Sequence, residues 1–304
     1  MTRSRPALRE ATPVRALLWL FAAGCQWGDS APPLDLQCGE TIRTNRYDCF
    51  VHVPAGDFVM GGQAEDPAGV GFDPEATPSE GPPHRVHVEG FWMMQREASS
   101  SLYRRCRQQG RCDPEHFDGA GVFSTFVEGR TKSQHAINGV DWYGATQLCS
   151  WLGGRLPTER EWEYAARGPD SRRFPWGDQP GCGYLDVSDA GPGGRINHAG
   201  DVEMARGTCT KTGVSAYTEV RGPSPFGVMG MGGNLWEWTS DDFTPYPGGD
   251  ALPDHVNGRT LKVQRGGGWT SADPIELRAA SRMPVEPDTG MMDVGVRCVW
   301  GRSL

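Results

Sequence analysis

The chain has 304 residues, 22% charged and 37% hydrophobic, which suits one large or two average soluble domains with a sizeable core. Its 42 Gly, 24 Pro, 11 Trp and 9 Cys describe irregular backbone held by aromatic packing and covalent staples, excluding a helical bundle, a coiled coil and a collagen-like rod. The formal charge is −8, and Lys and Arg gather only at the extreme N-terminus, which argues against a nucleic-acid partner.

Arg3, Arg5, Arg9 and Arg15 precede the apolar run Ala16 to Ala23. That run falls short of the ~20 residues a membrane-spanning helix needs, so residues 1–24 are expected to be a secretory signal peptide. It ends in Ala22-Ala23-Gly24-Cys25, similar to a bacterial lipobox except that Ala22 stands where Leu is usual. Cys25 is then expected to carry a lipid, which makes the product an exported, membrane-anchored bacterial lipoprotein, periplasmic or at the cell surface. The plainer alternative is a cleaved signal with Cys25 as an unpaired or intermolecular thiol. Without residues 1–24 the chain keeps 26 basic and 37 acidic residues, so it is more acidic than the whole.

Setting Cys25 aside leaves eight cysteines, which formally allow ~105 connectivities. Export makes pairing the default. Cys106 and Cys112 enclose a short turn, and Cys38–Cys49 and Cys182–Cys209 are expected as short-loop closures. Cys149 is left to Cys298, closing a long loop.

Residues 25–48 read as a lipid-anchored tether, polar and without apolar periodicity, and a folded domain is expected over 49–302 with no internal boundary. Cys49 to Pro54 and Asp57 to Gly62 alternate around a Pro-Ala-Gly turn and suggest an opening hairpin. The acidic, Pro- and Gly-rich stretch from Gln63 to Pro83 reads as a surface loop, and Arg85 to Met93 as a third strand. Helices are expected at about 100–109, ending at Gly110; at about 142–152, after Asp141 as N-cap; and after Thr158, whose spacing to Glu161 makes a capping box, as far as Gly168. Residues 169–225 have few apolar runs, so their order must come from disulfides, a buried Trp176 or a bound cation. Lys262 to Arg265 and Val294 to Trp300 are the late strands. The seven His show no metal-ligand spacing, and His84 and His87 suit surface or loop packing.

Gly154 to Gly168 (GRLPTEREWEYAARG), Phe174-Pro175-Trp176-Gly177, Gly233 to Asp241 (GNLWEWTSD), Arg265-Gly266-Gly267-Gly268-Trp269 and Gly295-Val296-Arg297-Cys298 resemble, in order and spacing, the formylglycine-generating enzyme (sulfatase-modifying factor) family. The resemblance runs from Cys49 to Trp300. It implies a single compact α+β domain of C-type-lectin-like type with little regular secondary structure, and it too joins the Cys149 and Cys298 positions. Independently of that, Trp236 and Trp238 alternate with Glu237, so the tryptophans share one face and the carboxylate, buried or partly so, needs Arg or a cation on the other.

The family's enzymes oxidise a sulfatase cysteine to an aldehyde with oxygen and copper held by two cysteines. Those positions fall here on Ser271 and Glu276. Hydroxyl and carboxylate are hard ligands that do not replace thiolates on Cu(I), so copper is not expected. A family serine is also replaced, by Gly268. For calcium, the resemblance offers carbonyls of Gly233 and Leu235 and the carboxylate of Glu237, but Gly230 stands where an Asn or Asp ligand belongs. A second calcium site would begin near Asn197, beyond which no ligands can be assigned. The resulting expectation is a non-catalytic module that binds an unknown protein or small molecule in a pocket near Trp236, Trp269, Ser271 and Glu276. The alternative is an enzyme, either of the formylglycine-generating class or oxidising through Ser271 and Glu276.

Overall fold

The structure is a computed structural model and describes residues 31–32, 36–38, 48–118, 121–126, 132–133, 135–178, 222–250, 255–256, 258–271 and 274–301. The expected helices form where their caps place them. Helix α1 (Ser100–Gln108) follows Ser99, whose hydroxyl accepts from the Leu102 N–H. Helix α2 (Trp142–Trp151) follows Asp141, which accepts from the Gly144 N–H. Helix α3 (Glu159–Arg167) carries the full capping box between Thr158 and Glu161 and ends at Gly168, where φ is +70°. Each cap satisfies amide donors that the first helical turn leaves unpaired.

The opening strands correct one expectation. Strands β1 (Phe50–Val53) and β2 (Gly56–Met60) do not pair with each other. β2 pairs with β3 (His84–Val88), and β1 with β4 (Phe91–Met94). The register is unbroken across the joint, since Val53 faces Phe91 and Gly56 faces Val88. Residues 50–60 are therefore one bent strand against 84–94. Pro54, which has no N–H to donate, marks a kink in the ladder rather than a hairpin turn.

Strands β5 (Trp236–Asp242), β6 (His255–Val256), β7 (Arg259–Thr260), β8 (Lys262–Arg265), β9 (Met283–Val285), β10 (Val294–Gly295) and β11 (Val299–Trp300) complete the set. They build a four-stranded sheet in the order β10-β5-β8-β9, a three-stranded sheet β1-β4-β11 and the ribbons β2-β3 and β6-β7. The expected single late strand 294–300 is split, with Val294 parallel to Trp236 and Trp300 against Trp92. Helices α1 and α2 cover one apolar cluster containing Tyr103, Leu148, Trp236 and Trp238, and α3 lays Trp162 and Ala165 against Phe58, Met93 and Met231 in a second. Complete burial of each large apolar side chain contributes about 1.5–3 kcal/mol. The result is one α+β domain with short helices and curled sheets, as expected.

Disulfides join Cys38 to Cys49, Cys106 to Cys112 and Cys149 to Cys298. Cys25, Cys182, Cys209, Asn197 and the 1–24 segment lie outside the described residues. Trp176 is half-buried, stacked on Phe174.

The stretch 63–83 is more than a surface loop. Asp73 and Glu80 are buried in it and both receive the Arg278 guanidinium, at 2.8 Å and 2.7 Å. Arg282 donates to the Ser79 carbonyl and to both oxygens of Glu159. The acidic residues that make this stretch read as solvated are the ones that fix it to the 278–282 segment.

Candidate functional site

The alternation in β5 places the Trp236 and Trp238 side chains in the cluster under α1 and α2, and the Trp238 indole donates to the Val140 carbonyl at 2.9 Å. Glu237 faces the other way and is fully buried. Its Oε1 accepts from Arg297 Nε and Nη2 at 3.0 and 2.6 Å, and its Oε2 from Arg297 Nε and Trp162 Nε1 at 2.8 and 2.7 Å. Arginine is thus the partner this carboxylate needs. The calcium set Gly233, Leu235 and Glu237 does not fit this geometry, because both carboxylate oxygens are committed to a guanidinium and an indole.

A second carboxylate shares the arginine. Glu97 is fully buried, accepts from Asn234 Nδ2 at 2.7 Å and lies 3.7 Å from Arg297. Burial pushes its carboxyl up to about 7, with Arg297 opposing the rise and Glu237 adding to it.

The segment after β8 turns through Gly266 and Gly267, with φ of +96° and +73°. A Cβ on Gly267 would lie 2.5 Å from Leu277 Cδ2, so the close approach also requires glycine. The turn delivers Trp269 against Leu235 and Ala136, where its indole donates to the Met292 carbonyl at 3.1 Å. Phe123 stands over the Trp269 ring at 5.0 Å and, like Met292, is more than a third exposed. Asn138 ties both loops down, donating to the carbonyls of Phe123 and Met292 at 3.1 and 2.6 Å. Beside this aromatic bed the Thr270 hydroxyl donates to Asp293 Oδ2. A Cβ on Gly268 would sit 3.0 Å from that same oxygen, so the Asp293 carboxylate occupies the space that the family's serine side chain would need.

Of the four residues expected to form the pocket, Trp236, Trp269 and Ser271 are buried and Glu276 is half-buried. Ser271 Oγ accepts from the Gly268 N–H at 3.0 Å, closing a small turn. Trp269 and Ser271 come together, whereas Trp236 belongs to the core cluster beneath α2. A separate cleft of about 390 Å³ opens between segments 62–65, 76–82 and 248–250, and none of the four residues lines it. His87 is exposed and bonded to Asp57, and His84 rests on the Tyr246 ring. Asp293, Phe123, Met292 and Asn138 escaped the sequence reading because nothing in their spacing links them to residues 269–271. Among the described residues no group of three or more His, Cys, Asp or Glu is placed to hold a metal ion.

The description "Sulfatase-modifying factor enzyme 1-like domain" matches residues 38–302. The chain belongs to this family. A formylglycine-generating enzyme of Streptomyces coelicolor is 29% identical, over 88% of this chain and 94% of that protein. An inactive C-alpha-formylglycine-generating enzyme 2 of Mus musculus is 25% identical, over 96% and 94%. In fold the chain is similar to PvdO from Pseudomonas aeruginosa, with a TM-score of 0.58 and 21% identity over 83% of this chain and 94% of that one. The match begins at Cys38, which agrees with a disulfide and a short bridge from Gln37 to Phe50 tying the end of the 25–48 segment to the domain.

Proposed function

We propose that this sulfatase-modifying-factor-like protein is exported, anchored through a lipid on Cys25, and serves as a non-catalytic module that binds a protein or small molecule over Trp269. The observation that carries the reading is the donor set where the family resemblance places copper cysteines. Ser271 offers a buried hydroxyl already bonded to Gly268, and Glu276 a carboxylate. Neither suits Cu(I), and every cysteine among the described residues is in a disulfide. The similarity to a relative named as inactive supports the same view. The aromatic bed of Phe123 and Trp269, rimmed by Met292 and Asp293, supplies an apolar contact with a polar edge, as ligand sites commonly do.

The test is to incubate the protein with a Cys-x-Pro-x-Arg peptide, copper and oxygen and to look for the aldehyde by mass spectrometry. No copper-stimulated conversion is expected. Conversion above the protein-free control would restore the alternative reading, an enzyme of the formylglycine-generating class, which the similarity to the Streptomyces coelicolor protein favours.

A further inference from the structure

We propose that the face carrying His52, Trp92, Trp300 and Trp151 is a membrane-seating surface, which rests the domain on the anionic lipid layer to which its N-terminal segment leads. The inference rests on the lipid-anchor reading above and adds an orientation to it. Three observations converge on this face.

The first is the sheet β1-β4-β11. His52, Trp92 and Trp300 stand directly opposite one another in register, so their side chains form one row on one side of the sheet. His52 is exposed, both tryptophans are only half-buried, and the His52 and Trp92 rings lie 5.2 Å apart. At the other end of the same side, Phe50 and Met94 disappear into the core. The row is therefore where the core cluster surfaces. Trp151, also half-buried, extends it from the end of α2, since the loop that follows presses Gly153 onto the Trp300 ring. Tryptophan favours a membrane–water boundary because it presents an apolar body and a polar N–H.

The second is charge. Contrary to the expectation that basic residues gather only at the extreme N-terminus, in this chain of net −8 the exposed surface of α1 and the turn after it carries Arg104, Arg105 and Arg111, and α1 has no acidic residue. This basic end adjoins the aromatic row, because the Trp151 indole donates to Gln109 Oε1 at 2.9 Å. A basic patch beside interfacial aromatics is the pairing that anionic headgroups attract.

The third is the place where the N-terminal segment joins the domain. Gln37 bridges to Phe50, Cys38 is bonded to Cys49, and Asp48 accepts from the Ser99 amide and hydroxyl at the start of α1. Gln37 Nε2 also holds the Pro32 carbonyl at 2.8 Å. From Cys25 to Pro32 the chain reaches at most about 25 Å. An anchor at Cys25 thus keeps the β1 and α1 side of the domain within that distance of the lipid.

The experiment uses the full chain, purified from the membranes of a bacterial host and reconstituted in vesicles of phosphatidylglycerol and phosphatidylcholine (3:7) with bromine at acyl positions 6 and 7 of the phosphatidylcholine. Bromine quenches tryptophan that reaches the shallow acyl region. Relative to unbrominated vesicles, emission is expected to fall by on the order of a third, since removal of residues 1–24 takes Trp19 and leaves ten tryptophans, of which Trp92, Trp151 and Trp300 lie on this face and Trp27 beside the anchor. Trp27 lies beside the anchor and is quenched in any case, so the deciding quantity is the difference between proteins. Trp92→Phe/Trp300→Phe should lose about half of the quenching, and Arg104→Gln/Arg105→Gln/Arg111→Gln, all at exposed positions, should lose a similar share without altering the near-ultraviolet circular dichroism. Quenching undiminished in both variants overturns the proposal. The anchor is read separately, from the intact mass of the membrane-extracted protein: a mass without added acyl chains would refute lipidation, and quenching in Cys25→Ala would still report whether the face meets lipid.

Discussion

Replacing Glu97 by Gln should remove a loss of stability that sets in as pH rises toward neutrality. Glu97 and Glu237 are both fully buried around the single guanidinium of Arg297. Arg297 is held in three contacts by Glu237 and lies 3.7 Å from Glu97, so Glu97 is the carboxyl that burial raises, from 4.5 to about 7. Its folded-state value is above its unfolded one. The native protein therefore keeps a proton that the unfolded chain releases, and the stability this confers is present in full below about pH 4.5, declines from there and is gone above about 7. A shift of that size corresponds to about 3 kcal/mol across the window. Gln cannot titrate, and its carbonyl can still accept from Asn234. The variant should match the parent protein near pH 5 and exceed it by up to about 3 kcal/mol at pH 8, or roughly 6–12 °C in Tm for a domain of this size. Thermal melts of both proteins at half-unit steps from pH 5 to pH 8.5 provide the measurement. Parallel curves would show that Glu97 does not hold the proton, and the account of this charged core would be wrong.

Arg278→Met should destabilise by about 3–5 kcal/mol, because it leaves the buried carboxylates of Asp73 and Glu80 without their cation. Chemical denaturation tests this, and Arg278→Lys should recover only part of the loss, since one ammonium cannot reproduce three guanidinium contacts. Full stability in Arg278→Met would mean the 63–83 segment is held by other contacts. Cys149→Ala/Cys298→Ala opens a loop spanning 149 residues and should lower stability by about 4–5 kcal/mol with the fold retained, as urea titration of the purified variant would report.

The helices were legible because each depends on a local signal. Thr158 and Glu161 are three residues apart whatever surrounds them, and the structure forms that capping box. The alternation Trp236-Glu237-Trp238 likewise foretold a buried carboxylate with a partner, although the sequence left Arg and a cation open as its identity. The hairpin reading failed because Pro54-Ala55-Gly56 looks the same whether the chain reverses or merely kinks, and only the distant strand 84–94 decides. The 63–83 stretch was misread for a related reason. Acidic residues between prolines and glycines look solvated until Arg278, some 200 positions away, is known to sit among them. The bed around Trp269 was half legible: the motif supplied Trp269 and Ser271, but Phe123 and Asn138 come from another part of the chain.

The same arginines explain how the segment after β8 is held without thiolate ligands at 271 and 276. Arg278 enters Asp73 and Glu80; Arg282 and Arg265 share Glu159; Arg265 and Arg167 share Glu163; Arg297 takes Glu237 with Glu97 nearby. In these clusters five buried arginines, with partly buried Arg173 also on Asp73, face six buried carboxylates. Burial pushes Glu163 up, yet Arg265 and Arg167 overcome that and hold it below the ordinary carboxylate range, so it stays ionised. Glu97 differs in that its arginine is already engaged on both oxygens of Glu237. The displacement of the Glu97 carboxyl toward neutrality follows from burial first, which Arg297 only partly offsets and which the neighbouring Glu237 carboxylate reinforces. Substituting any of the five arginines should raise the proton affinity of a neighbouring buried carboxylate, and the affected variants should lose stability as pH rises rather than as it falls.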